Sequence, residues 1–245
     1  PGHITVMYGC HEAIAPDFML FDYYIGLDTV PGSDRTVKLP YLRHHLEEVH
    51  GGKEGLDAHA LLASKTGFCN FIYANRKSHP NRDSMFHKLS AFRFVNSLGP
   101  HLNNTPGDGH RAEDWYASSI RMKKPYKFSI AFENAWYPGY TSEKIVTSML
   151  AGTIPIYWGN PDISREFNSA SFINCHDFPT LDDAAAYVKK VDEDDNLWCE
   201  IMSRPWKTPE QEARFLEETE RETAKLYKIF DQSPEEARRK GDGTW

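Results

Sequence analysis

The stretch from residue 126 to residue 158 constrains the fold more than any other. Residues 126–132, Tyr-Lys-Phe-Ser-Ile-Ala-Phe, form an apolar run of strand length. A loop over 133–140 follows, containing Pro138 and Gly139. Thr141 or Ser142 can then N-cap a helix with Ile145, Val146, Met149 and Leu150 on its apolar face, and Gly152 ends it. Residues 154–158 return as a strand, with Pro155 near the start, where a proline is tolerable although awkward in a central strand. Strand, helix and strand joined by short connections imply parallel pairing, with the helix crossing one face of the sheet.

The same rhythm recurs along the chain. Residues 66–74 read as a buried strand, and 75–81 as a polar loop with Pro80. Residues 82–98 read as a helix with Met85, Phe86, Leu89 and Phe92 inward, closed by Gly99-Pro100. Upstream, 4–8 is a short strand, 18–27 can hold a second, and 40–63 is charged and helical with a break at Gly51-Gly52. Downstream, Phe172-Ile173 suits a strand, Thr180 caps a helix through Val191, and 209–230 forms a charged helix. The pattern predicts an α/β protein with a mostly parallel sheet covered by helices.

Composition narrows the function. A net charge of −7 over 245 residues argues against a nucleic-acid binder, which usually shows a basic face. No run of about 18 apolar residues is present, so no segment reads as membrane-spanning. The start shows no signal-peptide pattern, so a targeting segment is expected to be absent or upstream. Cys10, Cys69, Cys175 and Cys199 are scattered with no C-x-x-C pair, which predicts reduced thiols. His44, His45, His50 and His59 have no convincing ligand spacing, and a solvated helix surface is the preferred reading over a metal site.

In parallel sheets ligands bind beyond the carboxyl ends of the strands. That singles out the loops 75–82, 133–143 and 159–162. Their chemistry suits a nucleotide diphosphate. Glu143 and Lys144 open a capped helix, where free N–H groups and the helix dipole favour phosphate. Lys144 adds charge, and Glu143 can accept from ribose hydroxyls. Asn134 can donate to an anionic oxygen, and Arg82 can grip a diphosphate with two parallel hydrogen bonds. Tyr140 offers a ring for a sugar or base and a hydroxyl for phosphate. Each feature alone is an ordinary surface feature, and there is no Gly-x-Gly-x-x-Gly or phosphate-loop motif.

Longer strings add to this reading. Phe132-Glu133-Asn134, a short aromatic loop and Tyr140-x-x-Glu143-Lys144 follow the strand that begins near Lys127. Then come Ala151-Gly-Thr-Ile-Pro-Ile-Tyr-Trp-Gly-Asn-Pro161, Phe167-Asn168 and Ser171-Phe-Ile-Asn-Cys-His-Asp-Phe178. Upstream stand Gly67-Phe68 through Asn81-Arg82, and Pro16-Asp-Phe-Met-Leu-Phe-Asp-Tyr-Tyr-Ile-Gly26. Together, over residues 4–206, these strings resemble the alpha-1,3-fucosyltransferases, in particular their bacterial branch.

The resemblance implies a GT-B fold, two facing Rossmann-like domains with the donor mostly in the C-terminal one. On that division, residues 1–63 are a truncated acceptor-side domain, 64–206 the GDP-fucose-binding domain and 207–245 a helical tail. The implied reaction is inverting transfer of L-fucose from GDP-fucose to a hydroxyl, typically O3 of N-acetylglucosamine in a lactosamine-type glycan. Matching positions place Arg82, Asn134 and Lys144 on the diphosphate, Glu143 on the ribose and Tyr140 at the donor. Glu12 matches the general base. An inverting displacement needs such a carboxylate to take the acceptor proton, while Arg82 and Lys144 stabilise the departing diphosphate. No metal or other cofactor is then required, and no Asp-x-Asp motif is present. The alternatives are an incompetent GDP-sugar- or glycan-binding protein and a GT-B transferase using another nucleotide sugar. The expected compartment is the cytoplasm, at a membrane surface where a glycolipid is the acceptor, or the Golgi lumen if a eukaryotic anchor was removed.

Overall fold

A computed structural model describes residues 3–9, 12–27, 32–39, 53, 55–106 and 114–241. Cys10, His44, His45 and His50, and most of the helix expected over 40–63, lie outside them.

Five strands build the larger sheet: β4 (Gly67–Phe71), β5 (Val95–Ser97), β6 (Tyr126–Phe132), β7 (Ile154–Trp158) and β8 (Ile173–Asn174). All neighbours are parallel, in the order β5-β4-β6-β7-β8. Alternation along the strands feeds two cores. Phe128, Ile130 and Phe132 of β6 and Ile154, Ile156 and Trp158 of β7 point to one face, Ala131 and Tyr157 to the other. Pro155 is paired with Ser129 of β6, whereas β8 pairs only with Ile156 and Tyr157, so the missing N–H falls outside that ladder.

Helices cover both faces. Among the described residues, α1 (Ala58–Ala63), α2 (Asn81–Phe92), α3 (Trp115–Lys123), α4 (Glu143–Leu150), α5 (Leu181–Glu193), α6 (Asp195–Ser203), α7 (Pro209–Asp231) and α8 (Pro234–Ala237) follow in order. Met85, Phe86 and Leu89 of α2, Val188 of α5 and Trp198 of α6 pack on one face of the sheet. Ile145, Val146 and Met149 of α4 pack on the other, with Phe167, Phe172 and Trp206.

The helix expected over 82–98 ends at Phe92. Arg93 turns the chain extended, at φ −150° and ψ 147°, and Val95 to Ser97 pair with β4 as an edge strand. A three-residue strand directly after an apolar helix face continues the helical period in sequence, which hid it.

A smaller sheet holds β1 (Val6–Tyr8), β2 (Tyr23–Gly26) and β3 (Thr36–Lys38), also parallel throughout. Buried Arg35 donates to the Asp22, Phe18 and Phe21 carbonyls at 2.9, 3.3 and 3.0 Å, tying the turn before β2 to the approach to β3. Helix α7 joins the two units. Near its start, Phe215 packs with the α4-side core, and near its end Leu226 and Ile229 pack against Tyr23 and Val37. Glu222 accepts from the Lys38 backbone N–H at 3.0 Å. Thr208 and Gln211 close the helix start with a capping box, which fixes where this bridge begins.

Candidate functional site

The strand order of the larger sheet reverses between β4 and β6, since successive connections from that point run in opposite directions across the sheet. A cavity of about 210 Å³ opens there, lined by Tyr73 and Asn75 after β4, Asn134 after β6, Trp115 of α3, and Glu143 and Lys144 of α4. The strand-end loops 75–82 and 133–143 do meet at this cavity.

Glu133 organises the site, and sequence reasoning assigned it no role. Its side chain is wholly buried. It accepts from Ser142 N at 2.8 Å, Ser142 Oγ at 2.6 Å and Lys144 Nζ at 3.1 Å. Ser142 occupies the N-cap position of α4, but its hydroxyl serves Glu133 and accepts from Lys144 at 2.8 Å. The first turn of α4 therefore has no side-chain cap, and its N–H groups remain available for an anion. Burial opposes the charge on both members of the pair. For Lys144 the carboxylates of Glu133 and then Glu143 overcome burial and hold the ammonium well above its ordinary value. For Glu133 burial is the larger influence and pushes its carboxyl up, against Lys144 and the Ser142 hydrogen bonds. The charged pair is the state these contacts satisfy, because Glu133 keeps three donors. The Phe132-Glu133-Asn134 string was the available signal for Glu133.

Arg82 stands behind the cavity wall. Its guanidinium lies 4.3 Å from the centre of the Tyr73 ring and is fully buried. It donates to the Asn75 carbonyl, and at 3.4 Å to Asn134 Oδ1. Its Nε donates no hydrogen bond and is 3.7 Å from Asp83. Arg82 thus touches three wall residues, Tyr73, Asn75 and Asn134, without lining the cavity. Asn134, Glu143 and Lys144 do line it.

Tyr140 is buried, outside the cavity lining, among Lys144, Glu133, Glu12 and Glu143. Burial first, and then those carboxylates against Lys144, raise its phenol well above the usual value. Glu12 is exposed beyond the end of β1, with its N–H on the Gly9 carbonyl at 3.0 Å, and its charge reaches the Tyr140 hydroxyl. Glu12 and the α4 residues thus approach Tyr140 from the two sheets. Asn160 fixes the neighbouring loops: its Oδ1 accepts from Gly139 N and Asp162 N, both at 2.9 Å. A second cavity, of about 330 Å³, opens between the carboxyl ends of the two sheets, beside Leu27, Lys38, Gly139, Asn160, Glu166 and Arg221.

Among the described residues no group of three or more His, Cys, Asp or Glu side chains could hold a metal ion. His59 is exposed on α1, with Nδ1 3.5 Å from Cys199 Sγ. Cys69, Cys175 and Cys199 are buried free thiols. Among the described residues no helix is long and apolar enough to cross a membrane.

Two parallel α/β units whose strand ends face one cleft, with a phosphate-suited helix start at the switch point, define a GT-B-type glycosyltransferase architecture. The comparisons specify it further. The model of "Glycosyltransferase family 10 (fucosyltransferase) C-term" matches residues 62–238, and the chain belongs to that family. The alpha-(1,3)-fucosyltransferase FucT of Helicobacter pylori is 29% identical over 238 residues, covering 84% of this chain and 48% of the relative. The human GDP-fucose protein O-fucosyltransferase 3 is 32% identical over 133 residues, covering 52% of this chain and 28% of that protein. A crystal structure of an alpha1,3-fucosyltransferase with GDP-fucose superposes with a TM-score of 0.70 at 26% identity, covering 90% of this chain and 75% of the other. The chain spans about half or less of the length of these curated relatives.

Proposed function

We propose that this chain transfers L-fucose from GDP-fucose to a hydroxyl of an N-acetylglucosamine-containing glycan, with inversion and in alpha-1,3 linkage. The observation that carries the donor half is the cavity at the switch point, where Asn134, Glu143 and Lys144 converge on the uncapped start of α4. The diphosphate lies across that helix start, with Lys144 and Asn134 on its oxygens and Glu143 on the ribose. Arg82 acts through the wall by its charge, and direct contact requires the Asn75 carbonyl to release its guanidinium. Tyr140 packs between donor and acceptor sides.

The acceptor enters the cleft between the two sheets, where Glu12 takes its proton as the new bond forms on the face opposite the leaving GDP. Charge growing on the departing diphosphate is met by Lys144 and the α4 dipole, fixed before the reaction begins. No metal takes part in this scheme. A solved relative with GDP-fucose bound supports the donor, and the Helicobacter pylori relative supports the linkage.

The test is turnover of GDP-fucose, GDP-mannose and a UDP-sugar against a panel of lactosamine-type acceptors, with donor affinity measured alongside. Fucose transfer to O3 of N-acetylglucosamine supports the reading. Tight GDP-fucose binding without transfer to any acceptor leaves a GDP-sugar-binding protein, and preference for another donor overturns the fucose assignment.

A further inference from the structure

Lys123, the last residue of α3, is 5% exposed and lines the same cavity. Nothing in the local sequence singles it out. Its Nζ donates to Thr147 Oγ1 at 2.5 Å and Ser148 Oγ at 3.3 Å, with the Lys144 carbonyl at 3.5 Å. Those hydroxyls spend their own protons inside α4, Thr147 on the Glu143 carbonyl at 2.9 Å and Ser148 on the Lys144 carbonyl at 2.7 Å. They present lone pairs to Lys123. The three N–H groups of an ammonium meet two hydroxyls and a carbonyl, all neutral acceptors, so none of them compensates its charge.

Among the described residues no carboxylate lies within 4.0 Å of Lys123 Nζ, the distance at which Lys144 meets Glu143. The charged groups around it are few. From α4, Glu143 favours its charge and Lys144 opposes it; from the loop after β6, Glu133 favours it. Behind the wall stands Arg82, and across the cavity is Tyr73, a phenol kept neutral by burial. Burial outweighs these and lowers Lys123 from its ordinary value to about 7. The remaining charges cancel in pairs: Lys144 and Arg82 against Glu133 and Glu143. A dianionic diphosphate then meets a site whose net positive charge depends on Lys123.

We infer that Lys123 is a ligand-linked proton site of the nucleotide pocket, neutral in part when the pocket is empty and an ammonium when a nucleoside diphosphate is bound. One proton passes from solvent to Nζ as the nucleotide enters, and returns to solvent when it leaves. The inference rests on the donor-site reading above. It makes Lys123 a binding residue for the diphosphate end of the donor, specified by charge.

The probe is GDP-fucose, whose diphosphate diester lacks the secondary ionisation near 6 of a terminal phosphate. Calorimetric titration into the intact chain in two buffers of different protonation enthalpy counts protons taken up. A group at about 7 that becomes fully protonated takes up about 0.1, 0.5 and 0.9 proton at pH 6, 7 and 8. Donor affinity falls by up to about tenfold per pH unit above 7 for the same reason. Lys123→Met removes this uptake and weakens binding. Lys123→Arg keeps the charge and binds without that uptake, which keeps the test sound if the methionine variant does not fold. Uptake that persists in both variants comes from other groups and is subtracted. Uptake unchanged in Lys123→Met and Lys123→Arg overturns the inference, as does binding by the unmodified chain without uptake at pH 8. Absence of GDP-fucose binding in the folded, unmodified chain instead overturns the donor-site reading itself.

Discussion

Replacing Lys144 by methionine tests two roles of that residue at once. Lys144 lines the cavity as a cation and is also the counter-charge of the wholly buried Glu133, 3.1 Å away. Breaking a buried pair by removing one partner costs about 3–5 kcal/mol, because the remaining charge is left uncompensated. Glu133 keeps its two hydrogen bonds from Ser142, so a loss near the lower figure, about 3 kcal/mol, is expected at pH 7. The pH dependence follows from linkage. In Lys144→Met the folded-state pKa of Glu133 rises further above its unfolded value of about 4.3. An acid raised in this way loses stability as pH climbs from the unfolded value through the folded one, and regains it on acidification. Urea unfolding at pH 7 and pH 5 measures this, and the variant should recover part of its deficit at pH 5. Adding Glu133→Gln removes the stranded charge and should restore stability at pH 7 although two groups are now changed. GDP-fucose affinity should fall by about 1.5–3 kcal/mol, the range for a hydrogen bond to a charged group, in the single variant. A Lys144→Met protein within about 0.5 kcal/mol of the parent at pH 7, as for an ordinary surface substitution, would refute the buried-pair account. Unchanged GDP-fucose affinity would remove Lys144 from the donor site.

Other consequences are independent of that pair. Glu12→Gln keeps the side chain's shape and should slow transfer by about 10²–10⁴, the usual worth of a positioned acid–base group, with donor affinity unchanged; equal initial rates exclude Glu12 as the base. Gly159 has φ +152°, and a Cβ there would stand 2.4 Å from Glu133 Cγ and 2.5 Å from Glu133 Cβ. Gly159→Ala should therefore lower the melting temperature and weaken GDP-fucose binding together, and a stable variant with native affinity contradicts the close packing of Glu133. On the proposed scheme transfer should continue in excess chelator, because Lys144 and the α4 dipole would carry the leaving-group charge; complete loss restored by manganese or magnesium contradicts that scheme.

Much of this architecture was legible in the sequence because period and punctuation agreed. Pro138-Gly139, Ser142 and Gly152 bracket α4, and its apolar face matches Ile145, Val146 and Met149 in the core. Parallel strands then place the loops after β4 and β6 at the ligand end, so Asn134, Glu143 and Lys144 come together without any long-range information. The short elements were less legible. β3 spans only Thr36–Lys38, and β5 is masked by the helix before it. The cover over Arg82 was also hidden. Tyr73 and the Asn75 carbonyl come from the exit of the preceding strand, β4, and nothing local to Asn81-Arg82-Asp83 announces them.

A buried carboxylate beside the proposed phosphate site weakens the attraction for an anion, so Glu133 needs a physical reason. The structure supplies one in its geometry. A free lysine side chain loses about 2 kcal/mol of rotamer entropy when it is immobilised. Lys144 is already immobilised, because Glu133 and Ser142 hold Nζ at 3.1 and 2.8 Å before any ligand arrives. Glu133 also diverts the Ser142 hydroxyl from the cap of α4, which leaves the first-turn N–H groups free for phosphate. Gly159 makes room for it, with no Cβ where the Glu133 stem passes. The carboxylate thus exchanges raw attraction for a cation and a helix start in fixed positions. That exchange favours catalysis over mere affinity, because fixed donors need no reorganisation as charge develops on the leaving group. It also leaves the remaining charge requirement to Lys123, on the far side of the same helix turn and within 2.5 Å of Thr147. One carboxylate therefore sets the rigidity of the site, and one buried amine sets its charge.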